Sequence, residues 1–177
     1  MGIPLAASVA EQLEKVSTRH RQTEDGLQWS TPESWHITLQ FLGNTSATQY
    51  EQVVAGLREL HGAPVPIELD ELGFFDRAGI FFVGVALTSG LLALQQRITA
   101  ATVPYGFVAE DRPYRPHITL ARSKGRRNGV GIETLKAKVR RQPKFDRFVA
   151  EEFLLYESFT PPTGSRYETR ERFRLGF

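Results

Sequence analysis

One tetrapeptide occurs twice in the chain and has the makings of chemistry: His-Ile-Thr-Leu at 36–39 and again at 117–120. At ordinary residue frequencies a second copy would arise by chance in about one chain of this size in a thousand. In an extended strand, residues i and i+2 point to the same face. His36 and Thr38 therefore share one face while Ile37 and Leu39 take the other, and His117 and Thr119 do likewise. If two such strands meet across a groove, two imidazoles and two hydroxyls converge on one space. An imidazole, with an unperturbed pKa of about 6.5, lets one copy be neutral while its twin is charged near neutrality. The neutral ring can take a proton from water while the protonated ring gives one to a departing ester oxygen. Thr38 and Thr119 can hydrogen-bond the non-bridging oxygens of a phosphate as charge develops. A single strand histidine is ordinarily structural, but structure gives it no reason to recur with the same threonine.

Arg122 closes the second copy (HITLAR) where the first has Phe41 (HITLQF). A guanidinium is permanently charged and grips phosphate in a bidentate way, so this asymmetric position suits orienting the phosphate. Tyr114 and Arg115, just before the second copy, are candidates for contact with a neighbouring phosphate or for stacking on a base. Phe41, Trp35 and the Phe74-Phe75 pair are read as core. His20 and His61 lie near predicted helix C-termini, where a cationic ring suits the dipole, and are read as surface. The histidine spacings do not resemble H-E-x-x-H, and no Asp or Glu shares either strand, so no metal site and no cofactor is expected. The sequence also lacks G-x-S-x-G, G-x-x-x-x-G-K and G-x-G-x-x-G, the marks of serine hydrolases and nucleotide-binding loops.

The elements that must carry these residues follow from periodicity. Val9, Leu13 and Val16 predict a helix over about 6–20. Gly26–Thr31 reads as a polar turn punctuated by Pro32. Trp35 to Leu42 alternates as a strand, and Thr45 or Ser46 caps a helix whose apolar face is Tyr50, Val53, Val54, Leu57 and Leu60. Pro64 and Pro66 restrict the strand over 65–75 to an edge or a late start. Ile80 to Leu87 is an apolar, β-branched and aromatic run, hence a buried strand. Ser89 caps a helix to about 102, Arg115 to Arg122 is a strand, and a helix near 131–141 precedes strands near 146–158 and 165–175. Gly125–Gly131 reads as a basic, glycine-containing loop, and Pro161, Pro162 and Gly164 as the last turn.

The repeat extends beyond the tetrapeptide. Gly84-Val85-Ala86-Leu87 enters a helix as Gly2-Ile3-Pro4-Leu5 does, so each half reads strand, helix, His-x-Thr strand, helix, strand. The chain is expected to be one two-lobed α+β domain over 1–177, a pseudo-twofold duplicated unit with repeats at about 1–76 and 79–177. On this alignment the counterpart of Ile80–Val83 would precede Met1, so the first strand is expected to be truncated.

The bulk properties are compatible. The chain has 177 residues, 41% apolar and 24% charged, and a formal net charge of +2, with a sequence pI near 9.0. That is too weak a charge to coat nucleic acid unaided. The basic residues are clustered, however: Lys124, Arg126 and Arg127; Lys136, Lys138, Arg140, Arg141 and Lys144; Arg166, Arg170, Arg172 and Arg174. The first group is read as a surface for an RNA end. Cysteine is absent, which excludes disulfides and thiolate chemistry and fits a cytoplasmic location. No secretory signal is evident, and no apolar run approaches the roughly 20 residues of a membrane helix.

HITLQFLG at 36–43, RPHITLAR at 115–122, and LLYES followed by G-S-R-Y at 154–167 together resemble the two-histidine (2H) phosphoesterases. Within that superfamily they resemble the bacterial and archaeal RNA 2′,3′-cyclic phosphodiesterases, once called 2′-5′ RNA ligases. The resemblance implies a bilobal fold with two antiparallel sheets facing a central cleft, helices outside, and metal-independent hydrolysis of a 2′,3′-cyclic phosphate to a 2′-phosphate. It implies His36 as general acid, His117 as general base, and Thr38, Thr119 and Arg122 as the phosphate-holding residues. RNA ends bearing a cyclic phosphate, or small cyclic-phosphate nucleotides, are the expected partners of a soluble monomer. Three alternatives stay open: 2′-5′ RNA end-joining by the same site, a phosphodiesterase for small cyclic nucleotides, and a non-catalytic nucleotide- or RNA-binding module.

Overall fold

A computed structural model describes residues 1–124, 130–159 and 165–176. The basic residues Arg126 and Arg127, most of the loop before Gly131, and the turn at Pro161, Pro162 and Gly164 lie outside the described residues. In chain order the elements are β1 (Gly2–Pro4), α1 (Ala7–His20), β2 (Leu27–Trp29), β3 (His36–Thr38), α2 (Ala47–Arg58), β4 (Val65–Ile67) and β5 (Leu69–Phe75). Then come β6 (Ile80–Val85), α3 (Ser89–Thr102), β7 (His117–Ser123), α4 (Val130–Lys138), β8 (Phe148–Ala150), β9 (Glu152–Phe159) and β10 (Arg166–Arg174).

The helices form where periodicity and caps agree. Ser46 accepts from the Gln49 amide while the Gln49 side chain returns to the Ser46 amide, a reciprocal cap that satisfies two otherwise unpaired donors. Val53, Val54 and Leu57 are the buried face of α2. In α3 the cap is Thr88, one residue before the expected Ser89: its hydroxyl accepts from the Leu91 amide.

The strands make two antiparallel four-stranded sheets, in orders β10-β9-β1-β3 and β2-β7-β6-β5, and a two-stranded ribbon of β4 and β8. The fold is thus α+β, as expected. Its sheets, however, do not follow the sequence repeats. The first half's last strand, β5, pairs with β6, and the second half's β9 pairs with β1. β2 also crosses over, pairing with β7. The halves have exchanged strands, and each sheet is built from both. One hydrophobic cluster runs through both sheets, including Ile3, Leu13, Ile37, Phe81, Ile118 and Phe153. Fully burying each such side chain contributes about 1.5–3 kcal/mol.

Three further expectations change. Leu27–Trp29, expected to be a turn, is a short edge strand; three residues beside a glycine give too little alternation to detect. The 65–75 segment splits, with β4 leaving the sheet to pair with β8 and Pro66 accommodated in that ribbon. The register of the repeat is also shifted by two residues. Gly84 stands opposite His117, whereas Pro4, not Gly2, stands opposite His36. Met1 to Pro4 therefore occupy the place of Phe81 to Gly84. A two-residue shift preserves side-chain parity, so the faces were assigned correctly although the register was not.

Both histidine strands carry a bulge directly after the His-x-Thr segment. In β7, Phe82 pairs with Thr119 but Phe81 pairs with Ala121, leaving Leu120 extra. In the first copy, the Met1 carbonyl accepts from both the Leu39 amide, at 2.9 Å, and the Gln40 amide, at 3.4 Å. Leu39 and Gln40 are consequently both buried, as are Leu120 and Ala121. Such a bulge inverts parity beyond it. It returns Phe41 and Arg122 to the polar face, where simple alternation would place them in the core.

Candidate active site

The polar faces of β3 and β7 line a single cleft of about 1070 Å³. His36, Thr38, His117, Thr119 and Arg122 all border it, with Tyr114 and Arg115 alongside. All seven residues singled out in the sequence are therefore brought together. A second cavity of about 880 Å³ continues past His36, Thr38 and Phe41.

The two imidazoles are held identically. His36 Nδ1 lies 3.0 Å from the Ser34 carbonyl oxygen, and His117 Nδ1 lies 2.8 Å from the Arg115 carbonyl oxygen. A carbonyl can only accept, so each neutral ring carries its proton on Nδ1 and keeps the Nε2 lone pair for the cleft. Each ring is also walled by aromatics. His36 sits 5.0 Å from the Tyr156 ring and 4.7 Å, edge-on, from Tyr167. His117 meets Phe75 edge-on at 4.9 Å and Phe82 at 5.4 Å, and those two rings stack at 4.1 Å. Gly2 lies under His36: a Cβ there would fall 2.7 Å from His36 Cδ2 and 2.8 Å from the Ile37 oxygen.

This enclosure decides the electrostatics. Loss of solvent pushes His36 well below the usual imidazole pKa, to about 4, outweighing its opposing hydrogen bond to the Ser34 carbonyl, and positive charge on the Met1 amine and on His117 lowers it further. His117 is lowered too, first by burial and then by the Arg122 and Arg115 charges, against the hydrogen bond to the Arg115 carbonyl. Arg122 is exposed at the cleft. The Arg115 guanidinium lies over Phe75 at 5.3 Å, a cation–π contact that fixes its position. Tyr114 is not a free contact residue: its hydroxyl donates to the Thr38 carbonyl at 2.8 Å, tying the segment before β7 to β3 across the cleft.

Two aromatic assignments need correction. Phe41 is 63% exposed and lines the cleft, because the bulge turns it out of the core. Phe75 is half-buried and packs on His117, where the sequence suggested core; Trp35 is buried as expected. His20 is half-buried, its ring edge-on to Phe81 at 6.3 Å, while His61 is exposed. The residues missed were Tyr156 and Tyr167, although both lie in the LLYES and G-S-R-Y segments, and Gly2, whose smallness had no visible purpose in sequence. Among the described residues no group of three or more His, Cys, Asp or Glu is placed to hold a metal ion, and no helix is long and apolar enough to cross a membrane.

Comparison with known proteins bears on the whole arrangement. Residues 5–158 match the model of the 2′-5′ RNA ligase superfamily. The chain is 35% identical over 100 residues to a protein of Aeropyrum pernix named RNA 2′,3′-cyclic phosphodiesterase; the match covers 54% of this chain and 57% of that protein. It is 26% identical to the protein of the same name from Escherichia coli, over 98% of this chain and 93% of the other. The fold is similar to that of E. coli LigT complexed with 3′-AMP, with a TM-score of 0.81, 25% identity and coverage of 98% and 95% of the two chains. The TT0787 protein of Thermus thermophilus gives a TM-score of 0.81 at 26% identity and the same coverage. With the family model spanning both histidine strands and the fold shared end to end, the chain belongs to the 2′-5′ RNA ligase superfamily.

Proposed function

We propose that this protein is a metal-independent phosphodiesterase that opens 2′,3′-cyclic phosphates at RNA ends to 2′-phosphates, working as a single two-lobed domain. The observation that carries this is the matched pair of imidazoles, each with Nδ1 tied to the carbonyl two residues before it and Nε2 left to one shared cleft. The names of the relatives support the same chemistry. Water attacks phosphorus as His117 Nε2 takes its proton. The bond from phosphorus to the 3′-oxygen breaks, and His36 Nε2 gives that oxygen a proton. Thr38, Thr119 and Arg122 hold the non-bridging oxygens while charge accumulates on them. The strained five-membered ring keeps the leaving group in place, so positioning and charge stabilisation suffice.

The electrostatics set one condition on these roles. At pH 7 a ring with a pKa of about 4 is protonated only about once in a thousand. His36 can act as the acid only if the arriving phosphate anion restores its proton. The test is an RNA oligomer ending in a 2′,3′-cyclic phosphate, incubated with the protein in EDTA beside His36→Ala and His117→Ala. A 2′-phosphate from the unaltered protein alone, with each variant slowed by about 10²–10⁴-fold, is the expected result. Activity abolished by EDTA, or undiminished in either variant, overturns the mechanism.

A further inference from the structure

The cations of this protein differ in what they face. Four on or beside β10 are matched by carboxylates. Arg58 pairs with Glu171 at 3.2 Å, Arg172 with Glu152 at 2.7 Å, Arg166 with Glu168, and Arg170 with Glu157 and Glu168. Lys136 is likewise held by Asp76 and by Glu133 at 2.9 Å. The corner where α1 ends, β2 begins and α4 ends is different. Among the described residues no carboxylate lies within ion-pairing distance of Arg19, Arg21, Lys124 or Lys138, all of them exposed.

These four are close neighbours. The charges of Arg19 and Lys138 both bear on His20, and Lys138 Nζ donates to the Gln22 side chain at 2.6 Å. The Lys124 amide bonds the Gly26 carbonyl at 2.9 Å. Asp25, in the loop at this corner, accepts from the amides of Leu27 at 2.9 Å and Gln22 at 3.2 Å and from Trp29 Nε1 at 2.7 Å. Its hydrogen bonds are spent on the loop, and of the four cations only Lys124 bears on its charge.

The corner is also continuous with the cleft. β2 pairs with β7 so that Gln28 stands opposite Arg122 and Leu27 opposite Ser123. Trp29 lines the cleft itself, and the Arg21 guanidinium lies 5.5 Å from its ring centroid. A line therefore runs from Arg122 past Trp29 and Lys124 to Arg21, Arg19 and Lys138. Arg19, Arg21 and Lys138 have no carboxylate partner among the described residues, and the indole the line passes is held beside Arg21. That combination suits a single-stranded polyanion with aromatic bases.

From this we infer that the corner is the exit path of the RNA strand, binding phosphates on the 5′ side of the cyclic end through Arg19, Arg21, Lys124 and Lys138. This rests on the phosphodiesterase reading above and extends it: the substrate is a strand several nucleotides long, engaged beyond its terminal nucleotide. The β10 side, with Arg166, Arg170 and Arg172 already paired to carboxylates, offers a polyanion less.

The test compares a dinucleotide and a decanucleotide, each ending in a 2′,3′-cyclic phosphate. The protein, the triple variant R19E/R21E/K138E and the control R58E/R170E/R172E, whose arginines are all paired with carboxylates, are assayed at low and moderate salt. The expected result is a decanucleotide KM below the dinucleotide KM, with that advantage lost in R19E/R21E/K138E at low salt and kept in the control. Each single-strand phosphate contact contributes about 0.7 to the log–log salt slope. Losing three flattens the slope by about 2, or about tenfold to twentyfold in KM over a fourfold change in salt. The dinucleotide kcat/KM and the thermal midpoint should stay unchanged in the triple variant, showing that fold and chemistry survive. An unchanged decanucleotide KM in R19E/R21E/K138E, or a larger loss in the control, overturns the inference. Fluorescence anisotropy with a decanucleotide lacking the cyclic phosphate reads the same path without turnover. Failure of the chemistry is thereby distinguished from failure of the path.

Discussion

Acidification should destabilise this protein through one ring in particular. His36 is enclosed by Tyr156, Tyr167 and the backbone at Gly2, and its pKa falls from the ordinary 6.5 to about 4. The sign follows from proton counting. Between pH 6.5 and 4 the unfolded chain binds a proton at this ring that the folded chain refuses, so stability falls as pH drops through that window and levels off below it. At 1.36 kcal/mol per pKa unit, the depression to about 4 corresponds to a loss of ~3 kcal/mol, a ceiling because the ring also borders the cleft. Urea denaturation of the protein and of His36→Gln at pH 7 and pH 4 isolates this group from all others. The unaltered protein should lose up to ~3 kcal/mol more than the variant across the window. Inorganic phosphate, bound as an anion beside the ring, should shrink that difference. Equal losses in the two proteins, or an imidazole resonance that titrates near its ordinary value in the free protein, would refute the reasoning.

Other expectations concern catalysis and packing. Because both rings are depressed in the free protein, kcat/KM should peak at a more acidic pH than kcat, which reports the phosphate-loaded site; superimposable profiles would count against phosphate restoring the proton. Gly2→Ala brings a methyl to 2.7 Å from His36 Cδ2, and a displaced ring should cost about 10²-fold in kcat, measured beside circular dichroism to show the fold retained. Arg122→Gln should lower kcat/KM by about 10²-fold and Arg122→Lys should recover only part of it, since an ammonium cannot reproduce the fork. Tyr114→Phe removes the tie to the Thr38 carbonyl and should cost about 1 kcal/mol in denaturant unfolding.

Much of the site was legible because it depends on local parity. A His-x-Thr segment in an extended strand must present both polar side chains to one face, and two copies imply two such faces. The helices were legible for the same reason: Val9, Leu13 and Val16 recur at helical spacing, and Ser46 with Gln49 spells its own cap. These features involve residues within a turn or two of one another, so their geometry is fixed before any partner is chosen.

What only the tertiary structure decided are relations between distant segments. The exchange of β5 and β9 between the sheets leaves no periodic trace, because a strand's alternation is the same whichever neighbour it pairs with. The bulges that return Phe41 and Arg122 to the cleft exist only against β1 and β6, since an extra residue is extra only relative to a partner strand. Tyr156 and Tyr167 come to His36 through the β9–β10 hairpin, and Phe75 comes to His117 through β5. Residue types, and the shared face of each His-x-Thr segment, were set by the sequence alone. The pairing of remote strands determined how deeply each imidazole is desolvated, and therefore where its proton sits.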